Sequence, residues 1–292
     1  MKKWNVLFKA GLFLLLMSLV MSSVAFGQTD PRGAMPAPPG TAAMILYYRH
    51  IVGHEQFTDG KLVSKDYNYT ADISLLRPAY WNKVLGFDYN LNLILPFGAK
   101  HLMKPGVIDQ TATGVGDPTL AAAFWPLANR EKGIYLAPTI YVTAPGGDYH
   151  NDRSINMGAN RWAVKPELNF TWIYKDWCIE LQTNIELYSN NDQYGVNNQT
   201  SKKDPVIYAL SHVSYAINKK FWIGASGWWA WGGTTTNNDV KSKDELSTGT
   251  WMLSLNYTIT DNWSILANYA RDFQVQNGPA VDQIRLRLAY VW

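Results

Sequence analysis

The chain has 292 residues, of which 17% are charged, 47% hydrophobic and 14% aromatic, with thirteen tryptophans and one cysteine. Its formal charge of +3 sits on Lys2, Lys3 and Lys9, so the remainder is neutral. That excludes the basic footprint of a nucleic-acid binder and the acidic bias of a disordered chain. With Cys178 alone, neither an intrachain disulfide nor a cysteine-rich metal site is possible.

Lys2 and Lys3 precede an apolar run from Ala10 to Val20, and Ser22, Ser23, Ala25 and Gly27 follow. This pattern predicts a secretory signal peptide over residues 1–27. No cysteine stands at the cleavage point to carry a lipid. Residues 28–40 are rich in Pro, Gly and Ala and read as a flexible arm. Residues 41–292 read as one domain.

After Val20 no apolar run is long enough for a membrane helix. Period-two alternation recurs instead, as strands require. In chain order the predicted strands begin with a weak run, Ala42 to Val52, and then Tyr67 to Leu75. Leu85 to Phe97 is the cleanest, with apolar side chains at the odd positions and Gly86, Asp88, Asn90 and Asn92 between them. A weak run from Thr113 to Pro126 follows, then Ile134–Thr143, Trp162–Trp172 and Trp177–Leu187. Another weak run, Pro205 to Ile217, precedes Phe221–Trp231, Trp251–Ile259, Trp263–Asp272 and Ile284–Trp292. The total is twelve.

Short polar turns, such as Trp81–Lys83 and Asn129–Lys132, alternate with longer loops, such as Gly146–Asn160 and Asn190–Asp204. Short periplasmic turns and long outer loops mark an outer-membrane barrel. A soluble sandwich would also alternate. Against it stand aromatic girdles at the strand ends: Trp162, Trp231 and Trp251 at one level, Trp172, Trp177, Trp263 and Trp292 at the other. Strands of about eleven residues, tilted near 40°, span roughly 27 Å, the height of a lipid band. The fold class is therefore an all-β, closed antiparallel transmembrane barrel of about twelve strands. Its backbone radius is on the order of 12 Å, which suits a small solute.

Several motifs stand in order: Thr113 to Pro118 (TGVGDP), Ala144 to Tyr149 (APGGDY) and Asn156 to Leu168 (NMGANRWAVKPEL). Asn191-Asp192, Asp204-Pro205, His212 and Gly232 to Thr235 (GGTT) follow. With these motifs the chain resembles the outer-membrane protein family named for the meta-pathway of phenol degradation, over about residues 40 to 292. The resemblance implies a barrel that transports aromatic or other hydrophobic compounds.

By parity, one inner wall carries Arg49, Asp72, Asp88, Arg285 and Arg287, and another Arg161, Lys165, Glu167, Glu180 and Glu186. His212 joins them on the polar face of its strand. These eleven are the candidate pore-lining residues. Two readings stay open: the charges pair to stabilise a narrow lumen, or they form a constriction that selects solutes. His50, His54, His101, His150 and His212 show no metal-ligand spacing. No metal, cofactor or catalysis is expected. The expected partners are outer-membrane lipid, a small-molecule solute and, through the C-terminal strand ending in Trp292, the barrel assembly machinery; nucleic acid is not one. The leading function is a passive outer-membrane channel or uptake protein for a small solute of aromatic or hydrophobic kind. The alternatives are a structural or interaction barrel with a plugged lumen and, third, an embedded hydrolase. For the hydrolase, no nucleophile motif accompanies His212.

Overall fold

A computed structural model describes residues 30–292, so the expected signal peptide lies outside the described residues. Twelve antiparallel strands close into one barrel. They are β1 (Ala42–Thr58), β2 (Asn68–Val84) and β3 (Phe87–Lys104). The fourth, β4, is interrupted, with an outer half Ile108–Val115 and an inner half Thr119–Trp125. Then come β5 (Ile134–Thr143), β6 (Ala163–Tyr174), β7 (Trp177–Tyr188) and β8 (Val206–Ala216). Last are β9 (Phe221–Gly232), β10 (Leu246–Thr258), β11 (Trp263–Val275) and β12 (Gly278–Val291). The seam pairs β1 with β12, from Ala43 opposite Val291 to Phe57 opposite Gly278. Ala42 and Trp292 exchange backbone hydrogen bonds of 3.0 Å each at its end.

Several strands outrun their predicted lengths. β1 and β2 have 17 residues each, so they continue beyond the lipid band on the outer side. There a second, four-stranded sheet joins two loops through Asn191–Tyr194, Gln199–Lys203, Thr235–Asn237 and Val240–Lys241. The first inner turn is Leu85-Gly86 rather than Trp81–Lys83. Both turn residues have positive φ, 50° and 85°, as a two-residue hairpin of matching twist requires.

The predicted faces hold for β3 and for β5 to β12. Leu91 is 52% exposed on the lipid side, whereas Asn90 and Asn92 are buried inside. The girdles form as ring contacts: Trp177 with Tyr215 at 4.9 Å, Trp263 with Tyr290 at 4.7 Å, and Trp251 with Tyr269 at 5.5 Å.

β2 is the exception. Tyr69, Ala71, Ile73 and Leu75 turn inward, and Asp72 turns outward. Asp72 is therefore not in the lumen. It accepts hydrogen bonds from Tyr48 Oη at 2.5 Å and pairs with His50 Nδ1 at 2.8 Å on the outer surface. Residues directly opposite in a ladder share a face, and β1 places Arg49 and Ile51, both inward, against Ile73 and Ala71. The lower half of the strand, Leu76-Arg77-Pro78-Ala79-Tyr80, sets this phase. Arg77 points inward there, where a charge avoids lipid.

Replacing Leu91 with Arg should destabilise the barrel by about 2–4 kcal/mol, the cost of a cation on the lipid face near midplane. Leu91→Ala should cost far less. Folding titrations into lipid bilayers read both, and equal losses would contradict the lipid-facing placement.

Candidate functional site: the barrel lumen

The interior is organised in layers. The outer half is apolar along the β1–β5 wall. Ile51, Tyr69, Ile73, Ile94, Leu102 and Tyr141 belong to one buried cluster there. The loop after β5 folds in and adds Ile155 and Met157 to it.

The middle is charged. Arg49 and Arg285 are direct cross-strand partners at the seam, and both are buried. Like charges so placed repel. The acids within electrostatic range are Asp30 of the N-terminal arm and, for Arg285, also Asp272 of β11, not Asp72. Asp30 Oδ2 lies 3.2 Å from Arg287 Nη1. It is also within electrostatic range of Arg49, Arg77 and Arg285. His212 is buried nearby and meets Ser226 Oγ at 2.7 Å through Nδ1.

The arm from Asp30 to Met35 reaches into the lumen, while Pro38 to Gly40 are exposed where the arm joins β1. Asp30-Pro31-Arg32-Gly33 forms a turn closed by Gly33 N–H donating to Asp30 O at 2.9 Å. Proline at the second position and a φ of 62° at Arg32 are the marks of a type II turn. The turn aims Arg32 at the β7–β8 wall. Its backbone N–H donates to Glu180 Oε2 at 2.6 Å and its Nε to Ser214 Oγ at 2.8 Å. Further along, Ala34 O accepts from Trp125 Nε1 at 2.9 Å, and Met35 packs beside Trp125 and Tyr135. The arm thus bridges opposite walls of the lumen.

The remaining predicted residues sort by height. Lys165 Nζ lies 3.2 Å from Glu167 Oε2 and 3.8 Å from the Tyr141 ring centroid. Glu167 also accepts from Asn169 at 3.0 Å and Tyr141 at 3.2 Å. Glu180 does not join this group; it opposes Thr171, nearer the inner end, and is held by the arm. Asp88 sits at the inner end, 3.0 Å from Arg130 Nη1 and 3.9 Å from Lys83 Nζ. Arg161 and Glu186 stand half-buried at the outer rim. The sequence reading missed Asp30, Arg32 and Arg77. Asp-Pro-Arg, a charged turn inside an otherwise Pro/Ala/Gly stretch, was the available signal.

The wall has one discontinuity. At Gly116-Asp117-Pro118 the two halves of β4 part. The outer half pairs with β3 on one edge only. Its other edge meets the loop after β5: Val115 N–H donates to Asp148 Oδ2 at 2.7 Å, and Asp148 N–H donates to Val115 O at 2.9 Å. Asp117 in turn accepts from Gly147 N–H at 2.9 Å and Ala159 N–H at 2.6 Å. A Cβ on Gly114 would overlap Asp148 Oδ2, and one on Gly147 would crowd the Gly116 and Gly158 backbone. The three glycine- and aspartate-rich motifs of the sequence therefore meet here, replacing a strand ladder with carboxylate hydrogen bonds.

A family model described as "Putative MetA-pathway of phenol degradation" matches residues 54–288. No curated protein matches in sequence. Among solved structures, the COG4313 outer membrane channel from Pseudomonas putida F1 is 25% identical, with a TM-score of 0.87 over 91% of this chain and 100% of that one. The beta domain of the Bordetella autotransporter BrkA is 12% identical, with a TM-score of 0.52 over 86% and 99% of the two chains. The TodX deltaS2S3 mutant monoaromatic hydrocarbon channel is 8% identical, with a TM-score of 0.50 over 87% and 91%. These last two share the barrel fold.

If the arm closes the lumen through its acid, Asp30→Asn should loosen it. Single-channel conductance in planar bilayers should rise by about twofold or more, because a confined path responds steeply to lining charge and bore. Wild-type conductance in this variant would show that the arm is not held by Asp30.

Proposed function

The chain belongs to the family described as "Putative MetA-pathway of phenol degradation" and lies in the outer membrane, and from that premise we propose that it is a passive channel for a small aromatic or otherwise apolar solute. The observation that carries this reading is the apolar cluster lining the outer half of the lumen beside the break in the wall. A pore for sugars or ions needs water and polar groups along its whole length. Here the solute would meet Tyr69, Ile73 and Leu75 instead, on a wall whose lipid-level backbone is closed by side chains rather than by a strand. An unpaired strand edge is costly in lipid. The Val115–Asp148 contact satisfies the Val115 N–H and C=O at that edge and can open more readily than a continuous ladder. The arm holds the inner end shut at rest.

The rest of the proposal is architectural. Residues 1–27 direct export and are removed, and residues 41–292 form the barrel. The last strand, ending in Trp292, presents itself to the barrel assembly machinery. The inward charges other than Asp72 line the path, with Lys165 and Glu167 mainly holding the wall. Their network meets its hydrogen bonds within the protein, and the Glu167 side chain is fully buried.

The COG4313 protein's description as an outer membrane channel supports the channel reading. The test is a lock across the break. The backbone hydrogen bond from Asp148 N–H to Val115 O, at 2.9 Å, brings the two chain segments side by side. The double variant Val115→Cys with Asp148→Cys should take up toluene slowly when oxidised and normally after reduction. Native Cys178 is buried and will not interfere. Toluene uptake at the wild-type rate in the oxidised form would remove the path through the wall. Faster uptake of arabinose than of toluene would remove the apolar channel altogether.

A further inference from the structure

The outer rim holds a guanidinium that, among the described residues, makes no ion pair with a carboxylate. Arg161 ends the loop just before β6. Its Nη2 donates to Ser201 Oγ at 3.1 Å, while its Nη1 is buried and has no hydrogen-bond partner among the described residues. Burial lowers its pKa, against a pull from three tyrosines, Tyr188, Tyr149 and Tyr194. A second cation stands near. Lys203 Nζ lies 4.7 Å from the Tyr188 ring centroid. Burial, with a smaller push from Arg161, brings its pKa down to about 8, against the pull of Glu186 and Asp244. Asp244 is already engaged: its Oδ1 accepts the Thr235 N–H at 2.9 Å.

This cluster is rigidly built outside the lipid band. Ser201 and Lys203 lie on the middle strand of the outer sheet, paired to Asn191, Asn237 and Thr235. Tyr149 Oη donates to Gln193 O at 3.1 Å, and Asn160 Nδ2 donates to Asn191 Oδ1 at 2.9 Å. Three loops are thereby fixed around the two cations.

A buried donor left unmet is costly, and two neighbouring cations repel. An anion with two oxygens relieves both, because a guanidinium fork matches a carboxylate. The tyrosine rings add faces for an aromatic body. A neutral carbonyl could accept from Arg161 Nη1 but would leave the two cations without a counter-charge, which weakens binding of the uncharged analogue. We propose that Arg161 and Lys203, ringed by Tyr149, Tyr188 and Tyr194, form an outer docking site for a small aromatic carboxylate at the mouth of the barrel. The site stands on this rim geometry and is independent of the apolar path proposed above.

The test uses the full chain folded in detergent, with benzoate, benzamide and acetate as probes in titration calorimetry. Benzoate should bind saturably. Benzamide, lacking the charge, and acetate, lacking the ring, should each bind about tenfold more weakly or worse. Arg161→Gln should lower benzoate affinity by about tenfold, and Arg161→Lys should recover part of it. Heat-modifiable migration confirms folding of each variant. If Arg161→Gln does not fold, Lys203→Gln, at a half-buried position, carries the same comparison. Absence of saturable benzoate binding, equal affinity for benzamide, equal affinity for acetate, or unchanged affinity in a folded Gln variant would each overturn the site. Toluene uptake by the wild-type chain is read in parallel. Uptake without benzoate binding overturns the docking site and leaves the channel. Benzoate binding without uptake of any solute overturns the channel and leaves the site.

Discussion

In a lipid bilayer no water is present to satisfy a backbone amide, so every N–H and C=O of a spanning strand needs a partner within the protein. Closure of β12 on β1 meets that demand, and the rest of the molecule follows from it. A closed sheet has an inside. The period-two side-chain rule then sends Leu91, Leu253 and Leu286 to lipid and Asn90, Ser254 and Arg285 to the interior. The interior so formed is too narrow for bulk water to solvate many charges, and its charges must be met by one another, by the arm or by a solute.

The same constraint gives meaning to the place where the ladder stops. The outer half of β4 has a strand on one edge, and on the other Asp148 meets Val115. Asp148 and Asp117 accept from backbone N–H groups, the charge-assisted kind of hydrogen bond that is stronger than a neutral one. Glycines at 114, 147 and 158 are required because the chain segments and Asp148 approach too closely for a Cβ. A wall so made is sealed but not continuous, and it lies beside the most apolar part of the lumen.

Most of the barrel was legible because its signal is strictly local. Thirteen tryptophans, alternation along Leu85–Phe97 and the short–long loop rhythm need no knowledge of distant contacts. The phase of β2 was misread for a physical reason. Tyr67 to Leu75 is an alternating apolar run, but it lies largely in the outer half, where the lumen rather than lipid is apolar. The lipid-level segment began at Leu76, and Arg77 held the phase. The lumen was less legible than the wall. Arg49, Lys165, Glu167 and Arg285 are buried on the face that parity gave them, yet parity could not tell which acid meets which base. Glu180 is answered by Arg32, and Arg287 by Asp30, across 148 and 257 residues of chain respectively. Partnerships at such separations are set by closure and by the arm's turn, not by spacing. The break in β4 carried a signal, since glycine- and aspartate-rich motifs in three separate places suit a knot of tight turns, but only the fold shows that they meet.

The seam itself carries a consequence for how the molecule is made. Arg49 and Arg285 face each other across the last pair of strands to join. Bringing them together without a counter-charge would oppose closure at the step when the first and last strands must meet. Asp30 precedes β1 by only a short stretch, so it is tethered to one side of that seam and delivered with it. One carboxylate is thus carried to a seam that holds Arg49, Arg285 and Arg287, and a chain closing with its arm still unseated would meet that row of charge without it.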